Sequence, residues 1–133
     1  MPKLAMNATL FGNKVKRILI IEDDPDILDL LNIIFEDEGY EIFSFNRGTT
    51  VENIHLLSPD LILLDVRIVG FEKTGDQLCS ELKSVAETQN MPIILLSAEN
   101  NLSSIASKCG ANNFLAKPFE IKVLLNAVKE FLA

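Results

Sequence analysis

Asp60-Leu61-Ile62-Leu63-Leu64-Asp65 places four large apolar residues between two aspartates, entered from Ser58-Pro59. A run so short, and apolar on both faces, reads as the central strand of a parallel sheet covered on each side. Asp65 then falls at the carboxyl end of that strand. In open α/β sheets this is the edge where strand-to-helix loops converge and ligands bind. Aspartate is also a common turn former. The residue therefore takes its meaning from what the other strands bring to the same edge.

Towards the amino terminus, Lys16-Arg17-Ile18-Leu19-Ile20-Ile21 predicts a buried strand closed by Glu22-Asp23-Asp24. Asp24-Pro25 is a helix start: an acid that can cap free N–H groups, then proline at the first helical position. Ile27, Leu28, Leu30, Leu31, Ile34 and Phe35 give that helix a broad apolar stripe, and Gly39 ends it. Residues 40–45 predict a second strand. Residues 50–57 predict a short helix with Val51, Ile54 and Leu57 on one face.

Beyond Asp65, a loop with Gly70 and Gly75 leads to a helix expected over 76–87, carrying Leu78, Leu82 and Val85. Met91-Pro92-Ile93-Ile94-Leu95-Leu96 is the fourth strand, closed by Ser97-Ala98. Leu102, Ile105 and Ala106 mark a helix that stops at Gly110. Asn113-Phe114-Leu115-Ala116 is a brief fifth strand delivering Lys117 and Pro118, and a helix over 120–132 completes the chain. Strand and helix alternate five times. With right-handed crossovers this gives the α/β class, a doubly wound five-stranded parallel sheet with helices on both faces.

The 133 residues are 48% apolar, enough for one domain with a real core and too many for a disordered chain. No apolar run approaches the roughly 20 residues that span a bilayer. The opening Met1-Pro2-Lys3-Leu4-Ala5-Met6 is broken by Asn7 and Thr9 and does not fit a signal peptide. A cytoplasmic location and no membrane partner are expected. A net charge of −7, with Lys and Arg scattered, argues against a nucleic-acid surface. Cys79 and Cys109 lack CxxC spacing and are expected to be reduced packing residues. Neither GxxxxGK nor GxGxxG occurs, so P-loop and dinucleotide readings fail. Residues 1–15 show neither helical nor strand period and are expected to form a flexible leader to a domain over 16–133.

Four of the five strands finish on residues able to do chemistry: Glu22-Asp23, Asp65, Ser97 and Lys117. A parallel sheet gathers these ends at one edge. Carboxylates crowded in a cleft repel by several kcal/mol at low effective dielectric, so compensation is needed. Lys117 and a divalent cation are the two obvious sources, and oxygen-only ligands fit Mg²⁺. Aspartate is a competent nucleophile toward phosphorus. Phosphoryl transfer asks mainly for positioning and charge stabilisation, which Mg²⁺, an ammonium and a hydroxyl supply.

The motifs Ile20-Ile21-Glu22-Asp23-Asp24-Pro25, Pro59-Asp60-Leu61-Ile62-Leu63-Leu64-Asp65, Pro92-Ile93-Ile94-Leu95-Leu96-Ser97-Ala98 and Phe114-Leu115-Ala116-Lys117-Pro118-Phe119 are each weak alone. In this order and on these elements, the chain from Lys16 to Ala133 resembles a response-regulator receiver domain. The resemblance implies a flavodoxin-like strand order of 2-1-3-4-5. It also implies phosphorylation of Asp65, with Mg²⁺, by a histidine kinase or histidine phosphotransfer protein. By the same correspondence Glu22 and Asp23 are the acidic pair, with Asp23 nearer the metal, and Arg67 offers its backbone carbonyl to the ion. Ser97 is the switch hydroxyl, Phe114 the switch aromatic, and Lys117 the phosphate-binding lysine before a cis bond to Pro118.

The implied function is a phosphoacceptor module, not an enzyme, that assists its own phosphoryl transfer and hydrolysis and switches a surface toward a downstream protein. A phosphorylation-independent interaction domain on the same fold is the alternative; a missing acid or lysine would favour it. A phosphohydrolase of the haloacid-dehalogenase type is disfavoured, because Arg67 stands where those enzymes resemble one another in a second acid. The segment Ile68-Val69-Gly70-Phe71-Glu72-Lys73-Thr74 departs from the family pattern by lacking a Pro-Gly pair and by being slightly long. The Ser97-to-Lys117 segment is slightly short. Arg67 and Glu99, each two residues beyond a site residue, are expected to pair across the cleft mouth.

Overall fold

The computed structural model describes residues 15–132; residues 1–14 of the expected leader lie outside them. The strands are β1 (Arg17–Ile21), β2 (Glu41–Phe45), β3 (Leu61–Asp65), β4 (Ile93–Ser97) and β5 (Asn113–Ala116). The helices are α1 (Pro25–Asp37), α2 (Val51–Leu57), α3 (Gly75–Ser84), α4 (Leu102–Cys109) and α5 (Ile121–Leu132). The five strands form one sheet in the order β2-β1-β3-β4-β5, every pair parallel. This is the doubly wound, flavodoxin-like arrangement expected.

Alternation along the strands divides the core in two. Leu19, Ile21, Ile62, Leu64, Ile93 and Leu95 face α2, α3 and α4, meeting Ile54, Leu78, Leu82, Leu102 and Ala106. Ile18, Ile20, Leu61, Leu63, Ile94 and Leu96 face α1 and α5, meeting Leu31, Phe35, Leu124 and Val128. Each fully buried Leu or Ile contributes about 1.5–3 kcal/mol. That drive is why β1, β3 and β4 read as unbroken apolar runs. Among the described residues no helix is long and apolar enough to cross a membrane.

Local signals place the helix starts. The Asp24 side chain accepts from the N–H groups of Asp26 and Ile27, at 2.9 and 3.3 Å, ahead of Pro25. Thr74 and Gln77 form a reciprocal capping box on α3. Two boundaries differ from the sequence reading. α3 stops at Ser84 because Val85 is extended and the buried Thr88 hydroxyl donates to the Leu82 carbonyl at 2.6 Å, drawing the chain into a turn. β4 begins at Ile93, not at residue 91, because the Met91 N–H is turned back to the Thr88 carbonyl. Cys79 and Cys109 are free and buried, the Cys79 thiol donating to the Cys109 carbonyl at 3.4 Å. Burial pushes the Cys79 thiol pKa up, which keeps it an unreactive packing group.

Candidate functional site

The register of the sheet carries the strand ends to one cleft. β1 and β3 align Ile21 with Leu64, so Glu22-Asp23 and Asp65 emerge side by side. β4 aligns Ser97 with Ala116 of β5. The Lys117 N–H then donates to the Ser97 carbonyl at 2.9 Å, continuing the ladder one residue past the strand. Lys117 is thereby held beside Ser97, and the peptide bond to Pro118 is cis, as expected.

Glu22, Asp65 and Ser97 are buried, with Asp65 only 4% exposed; Asp23 is half-buried. The Lys117 ammonium lies 2.7 Å from Glu22 Oε1 and 3.1 Å from Asp65 Oδ2. The other carboxylate oxygens are held by backbone: Asp24 N–H donates to Glu22 Oε2 at 3.2 Å, and Arg67 N–H to Asp65 Oδ1 at 3.2 Å. Glu22 Oε1 touches the ammonium yet accepts no hydrogen bond of good geometry. Glu22, Asp23 and Asp65 each bring one carboxylate oxygen within 4.8 Å of the other two. A trio of carboxylate oxygen donors at one sheet edge fits a hard divalent ion such as Mg²⁺.

Electrostatics follows from burial. Burial, then the neighbouring Glu22, push the Asp65 carboxyl up to about 7 against the pull of Lys117. Burial works to lower the Lys117 pKa, but Glu22 and Asp65 outweigh it and hold the ammonium above its ordinary value. Lys117 is therefore charged at neutral pH, while the Asp65 carboxyl titrates there.

Ser97 Oγ accepts from the Glu99 N–H at 3.1 Å. The Arg67 side chain reaches Glu99, Nε to Oε1 at 2.6 Å, so the expected pair across the mouth is present. Phe114 is aligned with Leu95, which places it on the α4 side of edge strand β5, 37% exposed. His55 is exposed on α2.

The sequence shows Gly75 only as a loop residue, yet α3 starts against the end of β3. The Gly75 N–H donates to the Val66 carbonyl at 2.7 Å, and a Cβ at this position would lie 1.9 Å from the Asp65 carbonyl oxygen. Only glycine lets the helix approach so closely. Phe71 was likewise overlooked. Its ring covers Gly48, where a Cβ would fall 2.2 Å from Cδ2, and so pins the long loop to the β2–α2 connection. The one aromatic of this glycine-bearing loop was the available signal.

Residues 18–129 match the response regulator receiver domain family. Sporulation initiation phosphotransferase F of Bacillus subtilis (strain 168) is 35% identical over 120 residues, covering 88% of this chain and 94% of that protein. The signal receiver domain of a signal transduction histidine kinase from Syntrophus aciditrophicus is 34% identical, with a TM-score of 0.76 over 89% of this chain and 90% of that one. The receiver domain of a sensor histidine kinase from Pseudomonas aeruginosa, solved with a magnesium ion coordinated in its active site cleft, has a TM-score of 0.79. At 24% identity over 89% of this chain and 98% of that one, it shows likeness of fold. With a family match over nearly the whole described chain and a relative similar along almost its full length, this chain belongs to the response-regulator receiver domains of two-component signalling.

Proposed function

We propose that Asp65 is the phosphoacceptor of this receiver, charged by a histidine kinase or histidine phosphotransfer protein in the cytoplasm. The observation that carries this is the Asp65 carboxylate, buried at the end of the central strand with Lys117 Nζ 3.1 Å away. An Asp65 oxygen forms the new bond to phosphorus, the bond from phosphorus to the donor's imidazole nitrogen breaks, and the released imidazole takes a proton from solvent. Lys117 faces the transferred group and balances its charge. The Ser97 hydroxyl turns to donate to a phosphoryl oxygen, and Phe114 moves into the space it leaves. That movement alters the surface offered to a downstream protein.

Mg²⁺, held by Glu22, Asp23, Asp65 and the Arg67 carbonyl, would neutralise the charge that builds on phosphorus. The magnesium ion of the Pseudomonas aeruginosa receiver supports this reading by its place in that protein's cleft. Mass spectrometry after exposure to acetyl phosphate and Mg²⁺ tests the proposal. Wild type gains one phosphate mass, and Asp65→Asn gains none while keeping its fold. Undiminished labelling in that variant, or in excess EDTA, overturns the assignment.

A further inference from the structure

Runs of buried side chains hold β1, β3 and β4 in register, whereas β5 has no fully buried residue and pairs on one side only. A strand without a buried face has little to specify its register. Polar bonds at its two ends do so instead. Where β5 opens, the Asn112 N–H donates to the Ile93 carbonyl at 2.8 Å, and the Ile93 N–H donates to Asn112 Oδ1 at 2.9 Å. One asparagine thus exchanges both bonds with the first residue of β4. Lys83 Nζ, from the last turn of α3, donates to the same Oδ1 at 2.8 Å. It also donates to the carbonyls of Met91 at 2.9 Å and Gln89 at 3.3 Å, both in the turn that follows α3. An ammonium can only donate, so it fixes which end of the Asn112 amide faces Ile93. Where β5 closes, the Lys117 N–H donates to the Ser97 carbonyl at 2.9 Å.

We propose that Asn112, its amide oriented by Lys83, is a positioning residue for phosphoryl transfer, setting the register in which β5 presents Lys117 to Asp65. The proposal rests on the reading of Asp65 as phosphoacceptor. A slip of one residue would carry Lys117 about 3.3 Å along the sheet and turn its side chain to the other face. The ammonium would then leave Asp65 Oδ2, from which it now stands 3.1 Å. Smaller displacements count as well, because a misplacement of about 1 Å can slow a reaction by up to about 100-fold. Asn112 lies at the far end of β5 from the cleft, so it acts on the acceptor only through Lys117. Asn112 is exposed and Lys83 half-buried, so their bonds add modestly to global stability and their effect falls on the edge strand.

The test measures labelling by acetyl phosphate at saturating Mg²⁺, per folded molecule, in wild type, Asn112→Ala, Asn112→Asp, Lys83→Met and the double variant Asn112→Ala/Lys83→Met. Asn112→Ala and Lys83→Met are each expected to label more slowly, by roughly threefold to tenfold. The double variant is no slower than the slower single, since both changes loosen one fastening. Asn112→Asp keeps an acceptor for Ile93 and Lys83 and stays near the wild-type rate. Phe35→Leu, a core change on α1 that lowers the melting temperature, also keeps that rate. Amide hydrogen exchange gives a second readout: in Asn112→Ala the Lys117 N–H speeds up by about tenfold more than the β3 amides do. A wild-type labelling rate in Asn112→Ala, a rate in Asn112→Asp as slow as in Asn112→Ala, or equal slowing in Phe35→Leu overturns the positioning role alone. A wild type that gains no phosphate overturns the acceptor assignment and this role with it.

Discussion

A carboxyl that titrates near neutrality makes Asp65 a proton store. Unfolded Asp65 ionises near its ordinary value of 3.8, but the folded group holds its proton up to about 7. Between those values the folded chain binds more protons at Asp65, so stability falls as pH rises through the window, and the full penalty remains above it. In EDTA, wild type should therefore unfold at lower urea at pH 8 than at pH 5.5. Asp65→Asn should flatten that difference and gain on the order of 1–3 kcal/mol at pH 8. Saturating Mg²⁺ should flatten it too. Lys117→Met makes the complementary case. Without the ammonium, buried Glu22 and Asp65 face each other unpaired, a loss of about 3–5 kcal/mol at pH 8 in EDTA. Acidification protonates the pair and should return part of that loss; a pH-independent loss would mean that packing of the lysine stem dominates. The identities of these residues were legible in the sequence because each ends a strand. Their shared titration was not, since it arises from burial that only the assembled sheet creates.

Helix starts, and stops at a glycine, follow local chemistry, whereas the stop of α3 follows a contact made at longer range. Asp24-Pro25 was visible as a helix start because capping acts over three or four residues, whereas the Thr74–Gln77 box that opens α3 went unread. The end of α3 was not visible, because the apolar pattern runs on through Val85 while a buried threonine hydroxyl six residues from its acceptor bends the chain away. The same distinction governs Gly75, whose contact is with the Asp65 backbone ten residues earlier. Gly75→Ala is expected to push the start of α3 off β3, costing on the order of 1–3 kcal/mol as overpacking does. It should slow phosphorylation of Asp65 by acetyl phosphate more than Gly110→Ala does, although Gly110 at the end of α4 has positive φ and is strained by alanine as well. Equal labelling rates in the two variants would show that Gly75 serves the helix and not the acceptor.

At the scale of the molecule, alternation of strand and helix was enough for the layers, because period and length separate the two kinds of element over most of the chain. It was not enough for the strand order. Crossover handedness permits several sequences of strands across a doubly wound sheet, and the order 2-1-3-4-5 came from the receiver resemblance. That order has a consequence for timing. Lys117 is delivered by β5, a four-residue edge strand paired on one side only and nowhere fully buried, whereas Asp65 ends β3, buried throughout. Edge strands open at lower free energy than central ones. Amide hydrogen exchange should therefore find the Lys117 N–H, bonded to Ser97, released in a sub-global opening while the β3 amides wait for global unfolding. In each such excursion Asp65 keeps its place and loses its counter-charge. A phosphoryl group on Asp65 that draws in Lys117 should slow that opening, so the charged state would be recorded as a firmer sheet edge as well as a changed surface.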